Sequence, residues 1–164
     1  MKLDRTVRWV ALIGAALALQ APSIVYGQDA PGFVGVQPEE MKWVPVEGGL
    51  GAQTAILAGD PAKPGIYVIR MKFPPGVMSR PHTHSQDRFG IVVKGTWWTG
   101  TGADFKPEAT VPVKTGGYMK HPKGGAHFDG AKDEEVIVQI IGMGPVESPR
   151  IRPQDGGYGS SVKR

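Results

Sequence analysis

The four histidines of this 164-residue chain fall in two short stretches. Residues 81–90 read PHTHSQDRFG and hold His82 and His84; residues 120–128 read KHPKGGAHF and hold His121 and His127. In an extended chain, side chains at i and i+2 share a face, so His82 and His84 project together. Pro81 favours an extended residue before it and brings no competing N–H donor. Two neutral imidazoles on one face are half of a divalent metal site. Taken alone, the same pair is equally what two surface histidines in a loop look like. The second stretch adds weight, because Pro122, Gly124 and Gly125 allow a tight turn into His127. The chain has no cysteine, so any metal site must draw on His, Asp, Glu or Gln. No Ser-His-Asp order, phosphate loop or paired carboxylates compete with this chemistry.

Short strands must position these residues. Residues 28–50 are rich in Gly, Pro and Glu and read as an N-terminal arm with one strand around Met41 to Val46. AQTAIL is a strand and AGDPAKPG a turn. Ile66 to Phe73 alternates, with Tyr67, Ile69 and Met71 on one face. FGIVVKG and TWWTGTG predict two strands joined at Gly95, and VPVKTGGYMKH two more. AHFDG is another strand, AKDEE a charged hairpin turn, and Val136 to Pro145 a buried strand. Residues 146–164 read as a polar, loose tail. Eight or nine short strands with frequent turns and no helical period predict an all-β, antiparallel barrel or sandwich in one domain, residues 51–145. Tyr67, Met71, Phe73, Met78, Phe89, Trp97, Met119 and Phe128 are candidates for lining it. Trp97 and Trp98 must face opposite ways.

The N-terminus is read separately. Lys2, Arg5 and Arg8 precede the apolar run VALIGAALAL, and small Gly27 follows at a plausible cleavage point. This is the pattern of a signal peptide over residues 1–27, and it predicts a periplasmic or secreted protein with no membrane association after cleavage. Of 19 basic and 15 acidic residues, the leader takes three and one, leaving 16 against 14, or +2. No basic stripe remains to suggest nucleic acid.

The motif spacing goes further. From Gly76 to Gly95 the chain reads G-x5-H-x-H-x3-R-x6-G; from Gly116 to His127 it reads G-x5-P-x-G-x2-H. This resembles the two motifs of the cupin superfamily over roughly residues 50–144. It is similar to the small single-domain members with a GDP-x-KPG turn and a GTWW strand, here Gly59 to Gly65 and Gly95 to Trp98. The resemblance implies a double-stranded β-helix, or jelly roll, a divalent transition metal (Fe, Ni, Cu, Zn or Mn), a small-molecule ligand or substrate, and a homodimer.

Two positions depart from the family pattern. Its glutamate ligand falls at Arg88 and its asparagine at Ala131. Arginine stays protonated and cannot bind a metal. The set can be completed in three ways: three histidines with water, an oxygen from Gln86 or Asp87, or His121. The resemblance favours His121, because in a cupin barrel the strand of the missing glutamate lies beside the strand that ends before the motif-two proline. The expected ligands are therefore His82, His84, His121 and His127. Arg88 is expected to hold an anionic substrate or to pair with Glu108 or Asp129. The implied activity is that of a metal-dependent oxidoreductase of dioxygenase type acting on a small oxygenated molecule. The alternative is a non-catalytic metal- or ligand-binding module, or a sensor.

Overall fold

A computed structural model describes residues 32–162. The residues of the expected leader, 1–27, lie outside that range. The chain divides into two compact units, 1–35 and 36–164. Of the first, only residues 32–35 are described, and they are exposed.

The described residues of the second unit form eleven strands. In chain order they are β1 (Val44–Pro45), β2 (Gln53–Ala58), β3 (Gly65–Phe73), β4 (Val77–Ser79), β5 (Arg88–Lys94), β6 (Thr96–Thr101), β7 (Val111–Lys114), β8 (Tyr118–His121), β9 (His127–Gly130), β10 (Val136–Gly144) and β11 (Tyr158–Ser160). Three single 3-10 turns complete it, and the described residues contain no α-helix. One antiparallel sheet runs β1-β2-β3-β10-β5-β8, the other β11-β4-β9-β6-β7. Consecutive strands therefore pass repeatedly from one sheet to the other, as the jelly-roll expectation requires.

Alternation sets which residues face inward. Along β3 the buried positions are Tyr67, Ile69 and Phe73, and along β10 they are Val136, Val138, Ile140, Gly142 and Gly144. The two strands pair in register from Val136–Phe73 to Gly144–Gly65. Their inward side chains join Val92, Trp97, Ala52 and Ala131 in one core. Full burial of each large aliphatic or aromatic side chain contributes roughly 1.5–3 kcal/mol. Trp97 is 1% exposed. Its ring fits because position 90 is glycine: a Cβ on Gly90 would stand 2.8 Å from the indole. Gly95, at φ 76°, makes the left-handed turn between β5 and β6. Trp98 faces the other way, under the Lys132 ammonium.

Several expectations need correction. The expected loose tail of residues 146–164 is, over its described residues 146–162, not loose: β11 pairs with β4, and Arg150 bridges to His82. Its polar residues make strand and loop hydrogen bonds that composition does not reveal. Residues 131–135 are not a hairpin turn, since β9 and β10 belong to different sheets and the segment crosses between them. Phe89 does not line the interior; it is 36% exposed on the outer side of β5, because inward Arg88 and Gly90 flank it. Phe128 is buried but alternates away from the interior and packs on Phe105.

Candidate metal centre

The two histidine stretches meet through the backbone. His82 and His127 form an isolated antiparallel bridge, with His82 N–H donating to His127 O at 2.9 Å and His127 N–H to His82 O at 3.0 Å. Residues so paired put their side chains on the same face. Gly124 N–H donates to His84 O at 2.9 Å, tying the glycine turn of the second motif to the loop of the first. That loop is not a regular strand. The C-terminal segment clamps it instead, with Thr83 N–H donating to Pro149 O and Ser85 N–H to Glu147 O, each at 3.0 Å.

The imidazoles converge. Ring centroids are 4.8 Å apart for His82 and His84, 4.4 Å for His82 and His127, 5.0 Å for His84 and His127, and 3.7 Å for His121 and His127. Ligand atoms of His82, His84 and His127 lie within 4.8 Å of one another, and so do those of His121, His127 and Asp129. Donors about 2.0–2.1 Å from one ion stand roughly 3–4 Å apart, so small ring movements close either set.

Hydrogen bonds orient three of the rings. His82 Nδ1 donates to Arg80 O at 2.8 Å, His127 Nδ1 to Gly125 O at 2.9 Å, and His84 Nδ1 to Ser148 Oγ at 2.8 Å. Each bond leaves Nε2 as the lone-pair nitrogen, the arrangement that outer partners give to metal-ligating histidines. The Nε2 atoms of His127 and His121 are buried without a partner. Buried polar atoms are normally satisfied, so two orphans side by side fit a missing cation. Burial holds His82 below the ordinary imidazole pKa, and His121 falls to about 3, largely for the same reason. His84 is lowered by burial first and the Arg88 guanidinium second. These three rings are therefore neutral near pH 7, the form that binds metals.

Each expected site residue now has a place. Arg88, first in β5, stands opposite His121 at the end of β8. That is the neighbouring-strand relation on which the His121 expectation rested. Arg88 Nη1 donates to His84 Nε2 at 2.9 Å, and its Nε is buried without a partner. Asp87 points outward, accepting from Lys123 N–H at 2.8 Å and pairing with Lys120 at 2.7 Å. Gln86 lines a surface depression with Phe89 and Met143. Neither lines the cavity beside the imidazoles.

Asp129, expected only as a partner for Arg88, stands instead among the candidate metal donors. It lies two residues beyond His127 on β9, hence on the same face, and is 6% exposed. Its Oδ2 stands 3.8 Å from His127 Nε2, beyond hydrogen-bond reach. Burial alone would raise its pKa; the facing His121, His127 and His82 outweigh that and leave it lowered. The H-x-D alternation in AHFDG was the available signal. A cavity of about 350 Å³ opens beside the cluster, with His82, His84, His121, Arg88, Asp129 and Tyr158 among its walls. Apolar Tyr67, Ile69, Val138 and Ile140 face it from β3 and β10.

These features define a jelly-roll barrel with a candidate metal centre in its interior. Residues 32–147 match the ChrR cupin-like domain family, and the chain belongs to that family. Solved structures share the fold. A cupin-like protein from Thermotoga maritima is 21% identical over 63% of this chain and 80% of its own, with a TM-score of 0.51. KdgF from Halomonas sp. is 21% identical over 66% of this chain and 93% of its own, TM-score 0.51. The polyketide cyclase RemF from Streptomyces resistomycificus is 17% identical over 70% of this chain and 83% of its own, TM-score 0.57. At such identities the likeness establishes the fold alone. No curated protein matches the chain.

Proposed function

We propose that this cupin is a metal-dependent enzyme of dioxygenase type, acting on a small oxygenated molecule inside the barrel. One observation carries the reading: the imidazole cluster forms a wall of a cavity of about 350 Å³, which leaves room for a substrate beside an ion. His82, His84 and His127 would hold the ion through Nε2, with His121 and Asp129 as the further donors. A bound transition metal supplies Lewis acidity and, where redox-active, electron transfer. The chain's own residues do the rest. Tyr67, Ile69, Val138 and Ile140 exclude water from the cavity. Tyr158, whose pKa burial pushes up to about 12, stays protonated and can donate a hydrogen bond to substrate. Arg88 orients an oxygen of the substrate through its guanidinium. Export is part of the proposal and rests on the leader pattern of residues 1–27.

The test is oxygen uptake by protein loaded in turn with Fe, Ni, Cu or Mn, screened against small enolisable substrates. Substrate-dependent uptake that disappears in His82→Ala supports the reading; its absence with every metal overturns the dioxygenase assignment. One observation favours the second reading, a non-catalytic binder or sensor. Four imidazoles and a carboxylate gather in one place, enough to saturate an ion. That reading expects stoichiometric metal with no turnover.

A further inference from the structure

Arg88 is incompletely accommodated at the cavity. It is a permanent cation, half-buried, at the position where a cupin ordinarily places an acid. No ion pair joins it to a carboxylate among the described residues; Nη1 donates to the His84 imidazole and Nε has no partner. Asp129, the buried acid of the cavity, stands instead beside His127. Arg80 differs: its Nε donates to Tyr158 O at 3.1 Å and its guanidinium lies over Phe105.

The arrangement contains a conflict. His84 Nε2 has one lone pair, and it now accepts from Arg88. If His84 ligates a metal, that lone pair goes to the ion. Arg88 Nη1 then loses its acceptor and faces a second positive charge a few ångströms away. Like charges that close repel strongly in a partly buried site, so the guanidinium must gain a counter-ion or move. The same cavity offers a polar setting for an anion: the neutral Tyr158 hydroxyl, Arg150, and Ser148, which bonds the His84 ring that Arg88 touches. The side chains that β3 and β10, in the same sheet as Arg88, turn into the cavity include apolar Ile69, Val138 and Ile140.

From this geometry we infer that the cavity takes a small organic anion, an apolar body carrying one carboxylate or enolate held by Arg88, and that anion and metal bind cooperatively. The anion subsite stands on Arg88 and its surroundings; the cooperativity rests on the metal reading above. Binding linkage is reciprocal, so the anion tightens metal binding by the factor that the metal tightens anion binding.

The experiment uses the full chain, zinc, benzoate and its neutral counterpart benzamide. Zinc affinity is measured by competition with a chromophoric chelator, with and without each organic probe, and benzoate binding by calorimetry on metal-free and zinc-loaded protein. Benzoate is expected to raise zinc affinity about 5- to 150-fold, the usual range of such couplings, and benzamide to leave it unchanged. In Arg88→Gln the benzoate effect disappears and zinc alone binds more tightly than in the parent; Arg88→Lys retains part of the effect. The benzoate–benzamide contrast on the parent protein needs no variant to fold. Zinc uptake that benzoate and benzamide affect equally overturns the proposal and leaves the metal reading standing. No zinc uptake, with benzoate binding that Arg88→Gln abolishes, refutes the metal reading and the cooperativity while upholding the anion subsite.

Discussion

Removing the Ser148 hydroxyl tests whether the imidazoles are held for a metal. Ser148 Oγ accepts from His84 Nδ1 at 2.8 Å, and the ring it holds is 2% exposed. In Ser148→Ala the ring loses the bond that fixes its tautomer and aims Nε2 at His82 and His127. Loss of such an outer partner lowers metal affinity by about 10–100-fold, or roughly 1.4–2.7 kcal/mol. Ser148 itself is exposed. Water can therefore reach His84 Nδ1 once the hydroxyl is gone, which places the expected loss near tenfold. The assay is zinc or cobalt affinity by chelator competition, with Ser160→Ala as a hydroxyl control remote from the cluster. The metal-free fold should change little, because a net hydrogen bond contributes only about 1 kcal/mol. Equal affinity in Ser148→Ala and Ser160→Ala would refute the reasoning, since His84 would then not need orienting.

Further predictions concern other parts of the centre. Asp129→Asn keeps the shape but removes the charge two residues from His127, and metal affinity should fall tenfold or more by the same titration; an unchanged value removes Asp129 from the donor set. Because His121 titrates near 3 in the fold and about 6.5 unfolded, the unfolded chain takes up a proton first as pH falls. Metal-free stability, constant above about pH 6.5, should therefore decline below it by up to roughly 1.4 kcal/mol per pH unit from this group. Denaturant unfolding at pH 7 and pH 5 measures it, and His121→Gln should flatten the slope; a slope that His121→Gln leaves intact contradicts the assignment. Gly90→Ala drives a Cβ to 2.8 Å from the Trp97 ring, which should cost about 1–3 kcal/mol in thermal or denaturant unfolding. A neutral result there would mean that the interior yields more easily than its packing suggests.

Much of the barrel was legible because its strands alternate plainly. Tyr67 and Ile69 face in, and turn residues such as Gly95 bound the runs. The adjacency of the strands of Arg88 and His121 came from the cupin resemblance rather than from periodicity, and the two residues are paired in register. What sequence could not give were contacts made by irregular backbone. His84 sits in a loop, and its position depends on Ser148, Pro149 and Glu147, residues whose polar composition reads as a free tail. Asp129 is legible in the sequence only as a partner for Arg88, because a single acid in a strand is usually solvated rather than a metal donor. Its place two residues beyond His127 on β9 turns it toward the imidazoles.

The most direct test is anomalous diffraction from crystals grown with zinc, together with metal analysis of the same protein. The account predicts one ion per chain, about 2.0–2.2 Å from the Nε2 atoms of His82, His84 and His127. Stoichiometric zinc bound away from those three nitrogens, or crystals with no ion in the barrel at saturating zinc, would contradict it.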